Sequence, residues 1–457
     1  MQAVIEIIKR LNSFLNEMVW GVPALLLIGL VGIYYTVKLK GFQFVHFKEI
    51  TKRTIGRTEK SDESSPRYKQ LSSFQAAMTS VSAVVGSGNI AGVATAIVCG
   101  GPGALFWMIL AALIGMATKY AEIILGMLYR RENADGSMEG GAMYYLADGL
   151  HLKWLGKAFS ILVIPFAFVI SAVVDTNTIA NTLDVQYSVE PLFTGILLAV
   201  VVGIIIFGGL QRIGKVCEWL SPIMGGLYVL AGIIIIITNL NLLPNAIYTV
   251  ICGAFNPRAV TGGAVGSIFI CLKYGVARGV FSNEAGLGTT AMIHSGAKAN
   301  HPVEQGIWGP MEVFLDTIVI CTVTALAIIM SGLWSTGEYE GAALTMQAFY
   351  QLLPGKLGLW ICLGAIILFG FSSLISCYTY AQRAANYLFG SGNNRIIKIL
   401  WICCIVIGSV STLGFVWALS DTLNGMMIIP NLLGLMLLRK EVIKAHNSYW
   451  KNEKRTV

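Results

Sequence analysis

Two stretches of the sequence place glycine and polar residues inside otherwise apolar runs. The first is residues 80–92, where Gly86, Gly88 and Asn89 interrupt the run, and the second is residues 279–288, which carries a serine, an asparagine and a glutamate in succession. A glycine inside a helix costs about 1 kcal/mol relative to alanine. The pattern therefore predicts that both helices are broken at these positions.

Helices broken at the depth of an apolar layer offer backbone groups that bind charge. The amino end of a half-helix presents free N–H groups to a carboxylate, and the freed carbonyl groups coordinate a small cation or accept from an amine. An amino-acid zwitterion needs both contacts, and interruptions at matching positions of two halves are typical of a transporter's midplane site. The alternative is that the glycines ease helix packing, which explains one such stretch more readily than two.

Further polar side chains lie in apolar runs. The adjacent Ser372 and Ser373 either supply hydroxyl ligands or donate to the preceding helical turn. Acids at this depth are costly and are functional candidates by default; they are Glu122, Asp175, Glu284, Glu312 and Asp316. For Glu122 the alternative is a structural ion pair with Lys119, three residues earlier.

The composition indicates a chain whose solvent is mostly lipid. Of 457 residues, 55% are hydrophobic and 12% charged, against about 25% charged in soluble domains. A spanning helix needs about 20 apolar residues. The apolar runs predict an all-α protein with eleven spans and a short interfacial segment near 244–252; the spans are 19–38, 71–99, 102–128, 154–180, 192–209, 216–238, 262–295, 303–332, 357–389, 397–416 and 419–438. The first run has no basic segment and cleavage site before it, so it is interpreted as a retained span.

The spans form one membrane domain over residues 1–457. With span 19–38 set aside as an extra helix, ten spans divide into sets of five, residues 71–238 and 262–438, and the odd number inverts the second set relative to the first. Most of the 32 Lys and Arg residues fall on one side, around the loop near 57–70 and in the basic tail 439–457. Because cytoplasmic loops retain positive charge, the amino terminus is predicted outside and the carboxyl terminus in the cytoplasm.

Several classes of function are disfavoured. The nine cysteines show no CxxC spacing, so neither a disulfide framework nor a zinc site is expected. No HExxH or GxSxG occurs, so the chain is not expected to be an enzyme, and no cofactor is expected. The net charge of +8 lies in loops without interleaved aromatic residues, which indicates topology and not nucleic-acid binding.

Five strings, in order along the chain, resemble the alanine/glycine:cation symporter family: GSGNIAGVATAI (86–97), GGPGALFWM (100–108), ATKYAE (117–122), EGGAMYYL (139–146) and RGVFSNEAGLG (278–288). The resemblance covers essentially the whole length. It implies a leucine-transporter-type fold of two inverted five-helix repeats preceded by one extra helix. It also implies a multi-pass protein of the inner cell membrane that imports an amino acid with sodium by alternating access.

The resemblance also implies site residues. The substrate carboxylate would meet the backbone of Gly86, Ser87 and Gly88. The other end of the substrate would meet Gly279, Phe281 and Asn283. One sodium ion would be held by the carbonyl groups of Ser82 and Val85 and the hydroxyl groups of Ser372 and Ser373, and Asn89 is placed like a ligand of a second sodium ion.

Two pocket positions depart from the family pattern. Asp175 stands where the family typically has Gln, before a small-Asn pair, and Cys377 stands where it typically has Trp. A midplane carboxylate needs a cation, a strong donor or a proton. The two changes favour a substrate side chain larger than that of alanine, one that bears an amine. The alternatives are protonation of Asp175 and a structural carboxylate paired within the bundle.

Three rival functions remain at this stage. A proton-coupled amino-acid transporter of the same fold would use the same broken helices. A passive channel would also tolerate them, but it would show a repeated filter sequence or rings of charge, which this sequence lacks. A membrane enzyme would need acid, base or metal groups gathered near one interface, and the scattered acids of this sequence lack that arrangement.

Overall fold

The structure is a computed structural model that describes residues 2–56, 70–133, 136–255, 268–390, 394–411 and 413–453. These residues are mostly helical. The all-α prediction misses one antiparallel hairpin, formed by β1 Arg131–Glu132 and β2 Met138–Glu139. The predicted loop at 57–70 and the start of the predicted span at 262 lie outside the described residues, apart from Gln70.

The chain begins with a bent pair of helices. The first four helices are α1 Gln2–Val19, α2 Val22–Lys38, α3 Phe42–Val45 and α4 Phe47–Thr54. The axes of α1 and α2 meet at 40°. Pro23 stands in the first turn of α2, where its missing N–H costs nothing.

The first predicted set of spans corresponds to a series of helices with one clear interruption. The elements are α5 Ser73–Val84, a 3₁₀ turn Ser87–Asn89, α6 Ala91–Gly100, α7 Ala104–Leu128, α8 Ala142–Tyr144, a π-helical turn Tyr145–Gly149, α9 Lys153–Ala167, a π-helical segment Phe168–Asp175, α10 Thr176–Tyr187, α11 Pro191–Phe207, α12 Gly209–Thr238 and α13 Leu243–Phe255. The last of these covers the predicted interfacial segment.

The second set also starts with an interrupted helix. Its elements are α14 Ile268–Asn283, α15 Thr290–His294, α16 Pro302–Gly306, α17 Trp308–Val313, a π-helical segment Phe314–Cys321, α18 Thr322–Ser331, a 3₁₀ turn Leu333–Ser335, α19 Gly341–Leu352, α20 Leu357–Ser376, α21 Tyr378–Phe389, α22 Asn394–Ser409, α23 Leu413–Leu437 and α24 Arg439–Glu453.

Among the described residues, five helices are long and apolar enough to cross a membrane, and two bent pairs raise the number to seven. The five are Ala104–Leu128, Lys153–Tyr187, Gly209–Thr238, Pro302–Ser331 and Leu357–Phe389. The apolar helix α11 is shorter, with 17 residues. The eleven-span count therefore stays a prediction.

Two π-helical segments follow prolines inside their helices. Pro165 lies in α9, ahead of the segment that ends at Asp175, and Pro310 lies in α17, ahead of the segment that contains Asp316. Proline removes one backbone donor and crowds the preceding turn, and π-helical turns are often found at functional sites. Asp175 and Asp316 are thus each carried by a widened turn.

The carboxyl-terminal helix α24 packs beneath the bundle. His446 is 9% exposed and its Nδ1 lies 2.8 Å from Tyr120 Oη of α7. Trp450 stacks on His46 with ring centroids 4.6 Å apart. Arg53 of α4 donates to Tyr449 Oη at 2.7 Å. Helix α24 therefore packs against His46, α4 and α7.

Candidate functional site

The first interruption lies between α5 and α6. Val85 leaves the helix with φ −83° and ψ 95°, and Gly86 is extended. The amide oxygen of Asn89 accepts from the Gly86 N–H at 3.0 Å. The helices on the two sides differ in direction by 55°. The break predicted from the glycine pattern is confirmed.

The second interruption follows Asn283. Glu284 has a φ of +55°, Gly286 of +103° and Gly288 of +78°. The side-chain oxygen of Asn283 accepts from the Ala285 N–H at 2.9 Å and closes the turn. A positive φ is uncommon for a residue other than glycine and often marks a functional site. This break is confirmed as well.

The two broken segments touch each other at Gly88. A Cβ added there would lie 3.2 Å from Cδ1 of Phe281 and 3.8 Å from Cα of Ser282. Gly92 has open space at its Cβ position, with no atom within 4 Å. Close helix packing therefore accounts for Gly88 but not for Gly92.

Asp175 lies at the amino end of the 3₁₀ turn in the first break. Its Oδ1 accepts from the Ser87 N–H at 3.2 Å and from the Ser87 hydroxyl at 2.5 Å. A Cβ on Gly86 would meet this same oxygen at 3.6 Å. The Ser87 N–H, which was predicted to bind a substrate carboxylate, therefore donates to the carboxylate of Asp175.

The serine pair of α20 lies beside the first break. Ser372 Oγ donates to the carbonyl of Phe369 at 2.9 Å and lies 3.3 Å from the carbonyl of Ser82. Ser373 Oγ lies 3.5 Å from the Cβ position of Gly86 and 3.5 Å from Cys377 Sγ. Ser372 thus donates to its own helix and also reaches the end of α5, and its role as an ion ligand stays a prediction.

Ser82 divides its polar groups between two neighbours. Its hydroxyl lies 2.5 Å from Ser221 Oγ of α12, which also donates to the Met78 carbonyl at 2.8 Å. Its carbonyl faces Ser372. Cys377 closes the same region, with Sγ 3.6 Å from the Ala83 carbonyl. Ser373 and Asp175 thus lie next to Gly86, and Ser372 and Cys377 lie near the carbonyl groups of Ser82 and Ala83 at the end of α5.

Asn89 lies in a second polar cluster, which joins the two breaks. Its Nδ2 donates to Asp316 Oδ1 at 2.6 Å. The hydroxyls of Ser282 and Thr317 donate to Asp316 Oδ2 at 2.8 and 2.7 Å. All four side chains are at most 1% exposed. The sequence marked Asp316 as an expensive acid but could not show that Asn89 is its partner.

The other two predicted substrate residues of α14, Gly279 and Asn283, face other helices. Asn283 Nδ2 donates to Thr317 Oγ1 at 3.0 Å, and its carbonyl accepts from Lys119 Nζ at 2.8 Å. At Gly279 a Cβ would meet Met108 of α7 at 3.2 Å. Their roles in substrate binding stay predictions.

Lys119 belongs to a buried network of ionisable side chains that lies next to the second break. Its Nζ lies 3.1 Å from Glu312 Oε2, and both side chains are fully buried. Glu312 Oε1 lies 2.7 Å from His294 Nε2. The suggested pairing of Lys119 with Glu122 is wrong, because Glu122 instead accepts from Asn431 Nδ2 at 2.5 Å across the bundle.

An ion pair covers the other end of the site. Arg278 of α14 donates to both carboxylate oxygens of Asp421 of α23, at 2.6 and 2.8 Å. The guanidinium also lies 5.5 Å from the ring centroid of Phe281 and 5.8 Å from that of Trp417. The ion pair and the two aromatic rings thus form one contact cluster between α14 and α23.

Comparison with known proteins shows the family. The sequence profile described as the sodium:alanine symporter family matches residues 5–457. The chain therefore belongs to the sodium:alanine symporter family. The sodium/alanine symporter AgcS of Methanococcus maripaludis is 39% identical, over 98% of each chain. The probable sodium/glutamine symporter GlnT of Bacillus subtilis is 34% identical, over 98% of this chain and 92% of the relative.

Solved structures support the fold of this sodium:alanine symporter family member. MhsT in complex with L-phenylalanine superposes with a TM-score of 0.55 at 16% identity, covering 83% of this chain and 99% of MhsT. The fold is thus that of the leucine-transporter-type proteins. With its relatives named as symporters, the chain is an integral membrane transport protein and not an enzyme.

Proposed function

We propose that this family member is a sodium-coupled amino-acid symporter that works by alternating access. The carrying observation is the meeting of the α20 hydroxyl pair with the end of α5 at the first break, where Ser372 Oγ lies 3.3 Å from the Ser82 carbonyl. Oxygen donors of this kind suit a hard monovalent cation. The names of AgcS and GlnT, both sodium symporters by description, support the same coupling ion.

The proposed sites follow the two breaks. Sodium is assigned to Ser82, Val85, Ser372 and Ser373, with Asn89 as the candidate for a second ion. The substrate is assigned to the space between the breaks, bordered by Gly86, Ser87, Gly88, Asp175, Gly279, Phe281, Asn283 and Cys377. Because Ser87 donates twice to Asp175, the carboxylate does not require an amine on the substrate. The proposed substrate is an amino acid that resembles alanine or glycine or is somewhat larger.

The proposed topology has eleven spans in two inverted sets after one extra helix. The amino terminus lies outside the cell and the carboxyl terminus in the cytoplasm, with the protein in the cell membrane. The charge asymmetry of the loops supports this orientation. Lipid surrounds the outward apolar faces, where side chains such as Trp219 and Ile204 are 75% and 61% exposed.

Sodium coupling is tested in proteoliposomes with a panel of labelled amino acids. An inward sodium gradient is expected to drive uptake of at least one of them, and replacing sodium by potassium is expected to abolish it. Ser373→Ala is expected to raise the sodium concentration for half-maximal uptake about tenfold, with less effect on the maximal rate. The matched control is Ser376→Ala, since Ser376 is equally buried in α20 and donates only to carbonyl groups of its own helix.

Equal uptake in potassium and sodium, at every pH, refutes the proposal. If Ser373→Ala and Ser376→Ala leave the sodium dependence equally unchanged, the ion site does not include Ser373. Substrate choice is tested with Asp175→Asn, which is expected to lower uptake of the best substrate and to shift preference toward small neutral amino acids. An unchanged ranking shows that Asp175 does not set specificity.

Proton coupling is the second candidate, and the position of Asp175 favours it. A buried carboxylate at the end of a broken helix is a place where a proton can replace a cation. The two candidates separate when a pH gradient is imposed without sodium. Uptake driven by the pH gradient in the wild type and lost in Asp175→Asn supports proton coupling, and no uptake without sodium excludes it.

A further inference from the structure

We propose that Asn424 and Ser420 of α23 form a further wall of the substrate site and bind an uncharged hydrogen-bonding group on the side chain of the transported amino acid. This inference rests on the proposed function and deepens it. Neither residue belongs to the strings or the site assignments described above. The substrate class that follows is an amino acid with an amide or hydroxyl side chain.

The position of Asn424 follows from contacts two helical turns away on each side. Trp417, seven residues earlier, packs against Phe281 with ring centroids 5.6 Å apart. Asn431, seven residues later, donates to the Gly286 carbonyl at 2.8 Å. Seven residues return to the same face of a helix within about 20° and advance by about 10.5 Å. Asn424 therefore faces the chain between Phe281 and Gly286, which is the second break.

The side chain of Asn424 is buried without a partner. It is 0% exposed, and neither its Oδ1 nor its Nδ2 has a hydrogen-bond partner in the part of the chain that the structure describes. The hydroxyl of Ser420, one turn earlier, is likewise 0% exposed and unpartnered there. Buried polar groups are nearly always paired because an unmade bond is costly. Three such atoms within one turn indicate a polar ligand.

Thr422 and Asp421 of α23 have hydrogen-bond partners, unlike Ser420 and Asn424. Thr422 donates to the Ala418 carbonyl at 3.0 Å and receives a bond from Asn16 of α1. Asp421 is paired with Arg278. The unpaired atoms are thus confined to the face that the seven-residue spacing directs at the break. Poor packing of α23 as a whole would leave unpaired polar atoms on more than one face of the helix.

The chemistry of the two side chains selects the group that they bind. Under the proposed function the unwound backbone and the cation meet the charged ends of an amino acid. A carboxamide offers an acceptor and a donor, and a hydroxyl offers both. A glutamine, asparagine or serine side chain satisfies them, whereas the methyl group of alanine leaves them unpaired. A site built to hydrogen-bond a substrate group discriminates strongly against an analogue that lacks it.

The test compares purified wild type with Asn424→Leu, Ser420→Ala and the matched control Thr422→Val, which lies on the same helix and faces α1. Glutamine, serine and alanine compete against uptake of one labelled amino acid in proteoliposomes. The same amino acids, with sodium, are tested for their shift of the melting temperature in detergent. Asn424→Leu is expected to weaken glutamine and serine roughly tenfold or more and alanine less than about threefold. Thr422→Val is expected to leave the ratios unchanged.

The inference is overturned if Asn424→Leu weakens binding of glutamine, serine and alanine by the same factor, or if it leaves the ratio of their affinities unchanged. The melting measurement requires no transport and so separates the two claims. Absence of sodium-driven uptake in the wild type overturns the proposed symport, while the ratio of melting shifts still judges Asn424. Should Asn424→Leu fail to fold, Asn424→Ala is read by the same ratio, and an unchanged ratio there overturns the inference.

Discussion

The buried pair of Lys119 and Glu312 gives the sharpest test of how the second break is held. Lys119→Met keeps the length of the side chain and removes its charge. The variant loses the ion pair at 3.1 Å and the bond from Nζ to the Asn283 carbonyl at 2.8 Å. That carbonyl belongs to the last turn of α14, so the broken helix loses the cation at its negative end.

The magnitude follows from the distances. Two unit charges 3.1 Å apart attract by about 5 kcal/mol at an effective dielectric constant of roughly 20. Removing one member of a buried pair costs about 3–5 kcal/mol, because the other charge stays buried. Glu312 keeps its contacts with His294 and Ser80, which offset part of the loss. We expect Lys119→Met to lower the free energy of unfolding by about 4 kcal/mol.

The assay is unfolding by sodium dodecyl sulfate in mixed micelles, with the exposed Lys215→Met as the control for loss of charge. Removing both charges leaves no orphaned ion. Lys119→Met with Glu312→Leu is therefore expected to be more stable than the sum of the single variants by about 2 kcal/mol or more. Destabilisation below about 1 kcal/mol by Lys119→Met, or simple additivity, refutes the reasoning.

Two further predictions use the same unfolding assay, and a third uses proteolysis of α24. Gly88→Ala is expected to lower the free energy of unfolding by about 1–3 kcal/mol, because the added methyl group crowds the ring of Phe281. Gly92→Ala, whose methyl group would enter open space, is expected to change it by less than about 1 kcal/mol. Asp421→Asn is expected to cost about 2 kcal/mol because the buried guanidinium of Arg278 loses a charged partner. Burial lowers the pKa of His446 from 6.5 to about 4. The free energy of docking of α24 is therefore expected to weaken by about 2 kcal/mol between pH 7 and pH 5. The variant His446→Leu is expected to remove this pH dependence.

Each of these has an outcome that contradicts it. Equal effects of alanine at positions 88 and 92 would mean that the contact with Phe281 is not tight. An unchanged Asp421→Asn variant would leave the ion pair without a role in stability. The sign for His446 follows because its folded-state pKa is depressed, so the unfolded tail takes up a proton first as the pH falls below 6.5. Proteolysis of the tail that is independent of pH would refute it.

The sequence was sufficient for features that depend on local patterns. Both breaks were predictable because glycine and polar residues inside an apolar helix carry a local cost at those positions. The hairpin at Arg131–Glu132 was not, because its two strands are only two residues long. The number of spans also stays open, since broken and short helices do not satisfy a simple length rule.

Partners across the bundle could not be predicted from spacing. Asp175 meets Ser87, which lies 88 positions away, and Lys119 pairs with Glu312 and not with the acid one turn along. Residues three apart lie on the same side of a helix, so the spacing allowed the pair, but Glu122 accepts instead from Asn431 of α23. Asn424 was missed for the same reason. That its buried polar atoms have no hydrogen-bond partner among the described residues can be seen only in the folded structure.

The widened turns that carry Asp175 and Asp316 have a consequence for how related genes diverge. A π-helical turn holds one residue more than the α-helical turn that it replaces, so loss of a single codon from 168–174 would restore the regular helix and change which residues lie at the widened turn. Insertions and deletions in these two segments are thus a route to new chemistry in descendants of this gene, and an alignment drawn through them without gaps compares residues that face different helices.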